Sequence, residues 1–269
     1  MLDTPTYRPC PACRDTQYRK LVAYSLDPWE VVECASCNFV YLRNPPAYEA
    51  LEEDFAWEKT YDEKKAADTG STKFSPLGRK LKEITGLKSR DKHAKFVDWF
   101  GAGNVLDIGC GYGNLVQPPM VPFGIELSTG LHERADRNMR ARGGYCLHGA
   151  GAEAIWEFPE DHFDGVILHS YLEHETDISG VLSGVARALK ATGKVFIRVP
   201  NFASLNRRVI GANWCGFRYP DHVNYFTLSS LSDVAKRAGF ETRLVNAATL
   251  PVDDNIHALL YKSAWGQVS

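Results

Sequence analysis

A glycine-rich turn after a short apolar run constrains this chain more than any other stretch. Residues 105–108 read Val-Leu-Asp-Ile, and glycine follows at positions 109, 111 and 113. An apolar run that meets such a turn predicts a buried strand that breaks into a tight loop against a ligand. Glycine permits positive φ and removes the side chain that would hold a ligand away from the backbone. The sequence therefore predicts a ligand site at Gly109, Gly111 and Gly113.

The neighbouring residues narrow the class of ligand. The dinucleotide fingerprint G-x-G-x-x-G is broken because Asn114 stands where its third glycine belongs, and no Gly-Lys-Ser/Thr of a P-loop follows. Asp107 would repel a pyrophosphate but suits a cationic ligand. Glu126 ends a second apolar run, where a carboxylate can accept both ribose hydroxyls of a nucleoside. A ribose beside a positive charge fits S-adenosylmethionine.

Residues 105–114 resemble motif I of the class I, Rossmann-like S-adenosylmethionine-dependent methyltransferases. Residues 163–174 are similar to the fourth-strand motif of that family. Residues 199–201 together with 221–226 resemble one of its subfamilies, with small-molecule and sugar substrates. The resemblance covers roughly residues 96–262. It implies an α/β fold with a doubly wound, seven-stranded sheet and a small-molecule methyl acceptor.

The resemblance also implies which residues contact S-adenosylmethionine. The three glycines would let the backbone approach, Asp107 would serve the amino end, and Glu126 the ribose. The turn after the third strand matches the adenine side, and His169 would meet the methionine half. The implied contact residues are Asp107, Gly109, Gly111, Gly113, Glu126, Leu127, Ala152, Glu153 and His169. The alternative is a Rossmann-like domain that binds a different ligand.

Methyl transfer to a hydroxyl or an acidic carbon needs a base near neutral pH, most often histidine. Ligands bind beyond the carboxyl ends of strands in open α/β sheets, which is where Glu173 and His174 follow the fourth strand. His222 is a second candidate base. We predict that His174 or His222 is the base and that Glu173 assists. In the alternative interpretation, Glu173 and His174 cap a helix and His222 fixes its own loop.

Two cysteine pairs near the start of the chain indicate a metal site. Cys10 and Cys13 form one C-x₂-C pair and Cys34 and Cys37 another, with 20 residues between the pairs. This spacing is typical of a structural zinc ribbon with tetrahedral thiolate coordination. The expected ribbon strands are residues 21–24 and 31–33. Unconnected thiols and disulfides are the alternatives.

The predicted domains are a zinc ribbon over residues 1–45, a helical linker or substrate cover over 46–92, and a methyltransferase domain over 93–269. In the cover we expect helices over 48–68 and 77–100, with Tyr61 as a candidate substrate contact; a solvated linker is the alternative. Residues 201–227 are too long for an ordinary loop and carry aromatic and basic residues. They are predicted to be a substrate flap or, alternatively, a self-packed satellite core.

The hydrophobic pattern places the strands of the large sheet at 104–108, 123–127, 145–148, 163–168, 194–199, 243–245 and 257–261. Helices are expected over 130–142, 178–189 and 228–238. One departure from the family concerns the segment after motif I. Three prolines at 118, 119 and 122 predict that the usual helix there is cut to about one turn or replaced by a loop.

Composition limits the functional classes. The formal net charge of −2 gives no basic field for nucleic acid, and no apolar run approaches the ~18 residues of a membrane span. No signal peptide is evident, and seven cysteines with four in close pairs favour metal in a reducing compartment, so we expect a cytoplasmic protein. The alternatives are a scaffold protein that docks a partner through the ribbon, and methylation of RNA or protein. The oligomeric state stays open.

Overall fold

The computed structural model describes residues 7–46 and 92–263. The helices expected over residues 48–68, most of those expected over 77–100, and Tyr61 lie outside the described residues. Within them, the strands form a four-stranded antiparallel sheet and a seven-stranded mixed sheet.

The smaller sheet contains the cysteine pairs. Its first three strands are β1 (Tyr18–Lys20), β2 (Val31–Cys34) and β3 (Val40–Leu42), each antiparallel to the next. The strand expected over residues 21–24 is wrong, because Val22–Tyr24 is a 3₁₀ helix. The side chains of β1 are exposed, so its pairing with β2 leaves no hydrophobic pattern in the sequence. The apolar residues on which the prediction of this strand rests include Val22, which is 76% exposed.

The larger sheet has the strand order β10-β11-β8-β7-β4-β5-β6. Neighbouring strands are parallel, except that β11 runs antiparallel to both β8 and β10. This arrangement confirms the expected α/β fold with a seven-stranded sheet. The strand that interrupts the numbering, β9 (Asn224–Tyr225), belongs to the smaller sheet. The seven strands are β4 (Asn104–Ile108), β5 (Val121–Glu126), β6 (Cys146–His148), β7 (Phe163–His169), β8 (Leu189–Pro200), β10 (Phe240–Leu244) and β11 (Asn255–Lys262).

Successive residues of the central strand β7 enter two different hydrophobic clusters. Val166 and Leu168 belong to the main cluster, whereas Ile167 belongs to a second one that contains Phe96 and Phe196. Side chains alternate between the faces of a strand, so apolar residues cover both faces of the sheet. The described helices are α1 (Lys92–Phe100), α2 (Thr129–Arg140), α3 (Gly151–Ala154), α4 (Ile178–Ala188), α5 (Leu205–Ile210) and α6 (Leu228–Arg237).

The smaller sheet is completed by a strand from far along the chain. In β9, Tyr225 pairs with Val40 and Asn224 with Tyr41 of β3. A third hydrophobic cluster forms around this pairing and mixes residues of both chain segments. It contains Val31, Val40, Leu42, Phe202, Trp214, Val223 and Tyr225. The ribbon and the predicted flap therefore share one core.

None of the helices in residues 7–46 and 92–263 combines the length and the apolar character that crossing a bilayer requires.

Candidate active site

The loop after β4 takes the open shape that its glycines predict. Gly111 has φ +55°, and a Cβ atom built on it would meet no atom of the described residues within 4 Å. Gly109 has φ +72°, and a Cβ atom there would lie 2.8 Å from the ring of Tyr171. Gly111 thus presents bare backbone to open space, whereas Gly109 makes room for an aromatic side chain. Gly113, with φ +69°, packs against Met139 and Ala135 of α2.

Glu126, at the end of β5, fixes this loop. One carboxylate oxygen accepts a hydrogen bond from the backbone N–H of Gly111 at 2.7 Å, and the other from Ser128 at 3.0 Å. These two bonds join the end of β5 to the loop that follows β4. The carboxylate therefore holds the glycine loop at the place where the sequence predicts a ribose contact.

Asp107 lies in β4, two residues before the first glycine of the loop, and is 3% exposed. Burial raises the pKa of its carboxyl group to about 8, and the neighbouring charge of Glu126 adds to the shift. An incoming cation would favour the ionised form and lower this pKa again. Asp107 is thus suited to a positively charged partner.

The segment between motif I and β5 contains no helix, which confirms the prediction from its prolines. Val116 and Met120 are buried instead and pack in the cluster of Phe96. The guanidinium group of Arg142 donates to the carbonyl oxygens of Gly113, at 2.7 Å, and Val116. This arginine follows α2 and braces the glycine loop where the helix is missing.

The predicted adenine-side and methionine-side residues lie at or just beyond the ends of β5, β6 and β7. Ala152 and Glu153 lie in α3, directly after β6. The carbonyl oxygen of Leu127 lies 2.7 Å from Nε2 of His148. His169 ends β7 and has Nε2 3.5 Å from Nζ of Lys92. Burial lowers the pKa of His169 to about 4, helped by the charges of Arg198 and Lys92, so its imidazole is neutral.

The three candidate catalytic residues come together beyond the end of β7. Glu173, His174 and His222 each offer a side-chain atom within 4.8 Å of the others, and the two imidazole rings lie 4.8 Å apart. Nδ1 of His174 lies 3.1 Å from Oδ1 of Asp221 and 2.8 Å from its carbonyl oxygen. Nδ1 of His222 lies 2.9 Å from the carbonyl oxygen of Gly216. Because carbonyl and carboxylate oxygens only accept hydrogen bonds, Nδ1 carries the proton in both neutral rings. Nε2 therefore carries no proton and can act as a base.

The two histidines differ in basicity. Burial lowers the pKa of His174, but the hydrogen bond to Asp221 and the charge of Glu173 outweigh it and raise that pKa overall. Burial lowers the pKa of His222 to about 3, and the charges of His174 and Arg218 lower it further. His174 is therefore the stronger base of the pair.

The buried carboxyl group of Glu173 is incompletely bonded. It is 1% exposed, and its Oε2 has no hydrogen-bond partner among residues 7–46 and 92–263. Burial raises its pKa, with the charge of His174 acting in the opposite direction. A buried polar atom without a partner costs free energy, which binding of a ligand donor would recover.

Two residues of this site were not among the predicted site residues. Asp221 orients His174, and its pKa is about 2: burial raises it, but the hydrogen bond to His174 and the charge of Arg218 outweigh that effect. Its position directly before His222 was the available signal. Tyr171 fills the space beside Gly109, reaches Gly151 and donates to Glu175. It connects the glycine loop to the segment that carries Glu173 and His174.

The aromatic residues of the predicted flap face inward. Trp214 is 1% and Phe202 8% exposed, and both pack with the ribbon in the third hydrophobic cluster. The guanidinium of Arg207 lies 4.1 Å from the Phe202 ring centre and donates to the hydroxyl of Tyr24 at 2.8 Å. These residues form a satellite core, as the alternative interpretation of the flap expected.

The four paired cysteines converge in the ribbon. Sγ of Cys10 lies 3.6 Å from Sγ of Cys37, and Sγ of Cys13 lies 3.5 Å from Sγ of Cys34. All four sulfur atoms lie within 4.8 Å of one another. A zinc ion with four thiolates at about 2.3 Å requires sulfur atoms roughly 3.8 Å apart. The group is therefore close to the geometry of a four-thiolate metal site.

The sequence matches a known family over more than half of its length. The family described as methyltransferase domain matches residues 72–245. This range includes the glycine loop, Glu126 and the Glu173–His174–His222 group. The chain belongs to this family.

Curated relatives carry a common name. A ubiquinone biosynthesis O-methyltransferase from Thiobacillus denitrificans is 30% identical over 166 residues, 54% of this chain and 67% of the relative. A protein of the same name from a Bradyrhizobium strain is 24% identical over 186 residues, 62% of this chain and 73% of the relative.

Solved structures share the fold. A SAM-dependent methyltransferase from Archaeoglobus fulgidus matches with a TM-score of 0.50 and 16% identity, covering 62% of this chain and 90% of its own. One from Thermotoga maritima matches with a TM-score of 0.50 and 18% identity, covering 71% and 96%. The family match, the curated relatives and the shared fold agree with the methyltransferase that the glycine loop, Asp107 and Glu126 predict. The chain is a class I S-adenosylmethionine-dependent methyltransferase.

Proposed function

We propose that this methyltransferase methylates a hydroxyl group of a small molecule, with His174 as the general base. The observation that carries the proposal is the pair formed by Nδ1 of His174 and Oδ1 of Asp221, 3.1 Å apart, next to Glu173, whose Oε2 has no partner within the described part of the chain. The name of the curated relatives, O-methyltransferase, supports oxygen as the acceptor atom. Sugars and natural-product intermediates are the acceptor classes to test first, and a carbon acid is the alternative acceptor.

The cofactor would bind across the ends of β4, β5 and β6. When bound, S-adenosylmethionine supplies an electrophilic methyl group on a sulfonium. The backbone of Gly111 would allow close approach of the cofactor, while Gly109 and Gly113 shape the loop around it. Glu126 would accept from the ribose hydroxyls, and Asp107 would face the α-amino group. We assign Leu127, Ala152 and Glu153 to the adenine side and His169 to the methionine half.

The acceptor would bind between the cofactor and the histidine pair. Nε2 of His174 would take the hydroxyl proton as the oxygen bonds to the methyl carbon. The carbon–sulfur bond would break in the same displacement, with S-adenosylhomocysteine as the leaving group. Asp221 keeps the His174 ring in the correct tautomer and stabilises the imidazolium that forms, because its pKa of about 2 leaves it ionised. His222 stays neutral at physiological pH and completes the wall of the site. Oε2 of Glu173 would accept a hydrogen bond from a second hydroxyl of the acceptor.

We further propose a structural zinc ion on Cys10, Cys13, Cys34 and Cys37. Four thiolates leave no open coordination position, so the ion would stabilise the ribbon and take no part in the chemistry. The sulfur spacing and the absence of any second ligand type in this group support zinc over harder cations. Reduced thiols are consistent with a cytoplasmic protein. The proposed domains remain residues 1–45, 46–92 and 93–269, with the flap over 201–227.

The test is a methyl-transfer assay with radiolabelled S-adenosylmethionine and a panel of phenols, sugars and carbon acids, with the product analysed by mass spectrometry. His174→Gln should lower kcat about 10²–10⁴-fold and leave the affinity for S-adenosylhomocysteine unchanged. His132→Gln is the matched control, since glutamine can still donate to the carbonyl of Cys146 that lies 3.2 Å from this histidine.

The pH profile checks the assignment independently. Because the pKa of His174 is raised, kcat/KM should fall on the acid side from above pH 6.5, and His174→Gln should abolish that limb. A His174→Gln enzyme with normal turnover would disprove the base. Failure of the native protein to bind S-adenosylhomocysteine would instead favour a scaffold role, and methylation of RNA or protein alone would refute a small-molecule acceptor.

A further inference from the structure

The two stretches that carry the histidine pair are tied to the ribbon by one arginine. Arg8 lies two residues before the first cysteine pair. Its Nε donates to the carbonyl oxygen of Leu42 in β3 at 3.0 Å, and its Nη2 to that of Val223 at 2.6 Å. Its Nη1 lies 3.3 Å from the carbonyl oxygen of Thr176. One guanidinium group therefore contacts the ribbon, the His174 segment and the His222 segment.

A single asparagine continues this connection. Oδ1 of Asn224 accepts a further bond from Nη2 of Arg8 at 3.0 Å. Nδ2 of the same side chain donates to the carbonyl oxygens of Leu172, at 2.7 Å, and Glu175, at 2.6 Å. Asn224 is 1% exposed, so water does not compete for these bonds. Its carboxamide bridges the segment on both sides of His174.

Backbone bonds complete the frame. The carbonyl oxygen of Glu173 accepts from the N–H groups of Val223, at 2.7 Å, and Asn224, at 3.1 Å. The N–H of Leu42 donates to the carbonyl of Val223 at 2.9 Å. Residues 172–176 and 222–224 are thus held against β3 at the point where β9 joins the ribbon sheet.

From these contacts we infer that Arg8 and Asn224 are positioning residues, through which the ribbon sets the placement of His174 relative to His222. Neither residue supplies an atom to the reaction. Arginine suits this task because its planar, forked guanidinium can donate to several fixed carbonyls at once, which the single ammonium of lysine cannot reproduce. A displacement of about 1 Å in a catalytic group can cost 10²-fold in rate, so loss of the frame should be visible.

The consequence for the ribbon is specific. Its metal would act on methyl transfer through Arg8 and β3, although it lies outside the reacting site. This inference rests on the proposed function for the role of His174, but the position of the imidazoles can be measured without any acceptor.

The experiment compares four versions of the full protein by NMR with ¹⁵N-labelled histidine. Signals of His174 and His222 are assigned with His174→Gln and His222→Gln variants. Arg8→Met removes the fork and keeps the aliphatic stem, while Asn224→Asp keeps the acceptor for Arg8 and removes the two donors. Arg14→Met is the matched control, because Arg14 also links the ribbon to the larger domain, by an exposed ion pair to Asp177 at 3.0 Å.

Arg8→Met and Asn224→Asp should shift the imidazole signals of both site histidines and leave those of His148 and His162 in place. Bound zinc should stay at one ion per chain, and the affinity for S-adenosylhomocysteine should change less than about twofold. Once an acceptor is known, kcat should fall about 10–100-fold with the KM for S-adenosylmethionine retained. Arg8→Lys should restore little, and added methylguanidinium should restore part of the activity of Arg8→Ala.

The inference is overturned if Arg8→Met and Asn224→Asp give the same site-histidine signals as Arg14→Met. If Arg8→Met fails to fold, Asn224→Asp decides, since it leaves Arg8 in place. Removal of the ribbon metal with a chelator provides a second measurement: the site-histidine signals should move as in Arg8→Met, and unchanged signals in a metal-free, folded protein would refute the link. Absence of methyl transfer with every acceptor would count against the proposed function alone.

Discussion

The proposed S-adenosylmethionine site, or cofactor end, and the proposed acceptor site around His174, or acceptor end, are built in different ways. The cofactor end uses residues 107–153 and His169, and its key bonds, such as that from the N–H of Gly111 to Glu126, join segments of the neighbouring strands β4 and β5 or the loops that follow them. The acceptor end combines residues 172–176, residues 216–224 and Arg8, which are up to 216 positions apart. The position of the cofactor end follows from the order of the strands in the larger sheet. The position of the acceptor end depends on the smaller sheet, whose last strand, β9, comes from far along the chain.

This contrast explains which end tolerates departures from the family pattern. The cofactor end lacks its usual helix, yet Arg142 and the buried Val116 and Met120 hold the loop in place. The acceptor end relies on few side chains with several bonds each. We therefore expect single substitutions there to have larger effects on the arrangement of the site.

The largest expected effect concerns the core shared by the ribbon and the flap. Trp214→Ala removes a side chain that is 1% exposed and donates to Asp254 at 2.8 Å. The free energy of unfolding should fall by about 3–5 kcal/mol, because a large cavity replaces an aromatic residue. Urea titration followed by circular dichroism, with zinc release recorded by a chromogenic chelator, measures it. Trp156→Ala, at a residue 50% exposed, is the control, and equal losses in both variants would show that the ribbon core is dispensable.

The next effect breaks the cofactor end alone. Glu126→Ala leaves the N–H groups of Gly111 and Ser128 without their acceptor and removes the proposed ribose partner. The affinity for S-adenosylhomocysteine should fall about 10–150-fold, which corresponds to roughly 1.5–3 kcal/mol for bonds to a charged group. Isothermal titration calorimetry gives the affinity, and Glu241→Ala, at an exposed position of β10, should leave it unchanged. Unaltered binding by Glu126→Ala would remove this residue from the site.

A pH experiment sharpens the role of Asp107. Its folded pKa of about 8 lies above the unfolded value near 3.8, so the folded state holds the extra proton between these values. Without cofactor, stability should therefore fall as pH rises from about 4 to about 8 and level off above that range. The groups that raise this pKa or respond to it include Glu126 and Cys110. Melting temperatures should lose this slope in Asp107→Asn. A slope that persists in the variant would assign it to another group.

The smallest effect compares two helix starts. Thr227 caps α6, where its side chain accepts from the N–H of Ser230 and forms a capping box, whereas Ser128 at the start of α2 makes no such bond. Thr227→Ala should cost about 1 kcal/mol and Ser128→Ala close to nothing. Chemical denaturation resolves this difference. Equal losses of unfolding free energy in the two variants would show that the side-chain cap of Thr227 does not stabilise α6.

The strand and the glycine turn of the cofactor end could be predicted from the sequence because their signals are local. Residues 105–108 are apolar except for Asp107, which predicts a buried strand. The glycines at 109, 111 and 113 predict the turn that follows it. The prolines at 118, 119 and 122 predict the absence of a helix for the same reason, because proline fixes its own φ and has no backbone N–H to donate.

The acceptor end could be predicted only in part. His174 and His222 were identified as candidates, but their common dependence on Arg8 and Asn224 arises from contacts across most of the chain. The hydrophobic pattern does not predict the edge strand Tyr18–Lys20, because its side chains are exposed. It wrongly predicts a strand at Val22, because apolar character alone does not separate a strand from a short turn. The sequence does not distinguish a substrate flap from a satellite core for residues 201–227, since composition does not reveal what covers their aromatic side chains.

The pairing of β3 with β9 also has a practical consequence for anyone who shortens this protein. The cysteine ribbon looks separable in the sequence, because a proline-containing linker follows it. Cutting the chain at residue 46 would nevertheless remove the partner of Asn224 and Tyr225 and strip the cover from Trp214 and Val223. An unpaired strand edge beside newly bared apolar side chains is a template for aggregation. The catalytic domain expressed by itself should consequently collect as insoluble material, and co-expression with the ribbon as a separate polypeptide is the route to recovering it.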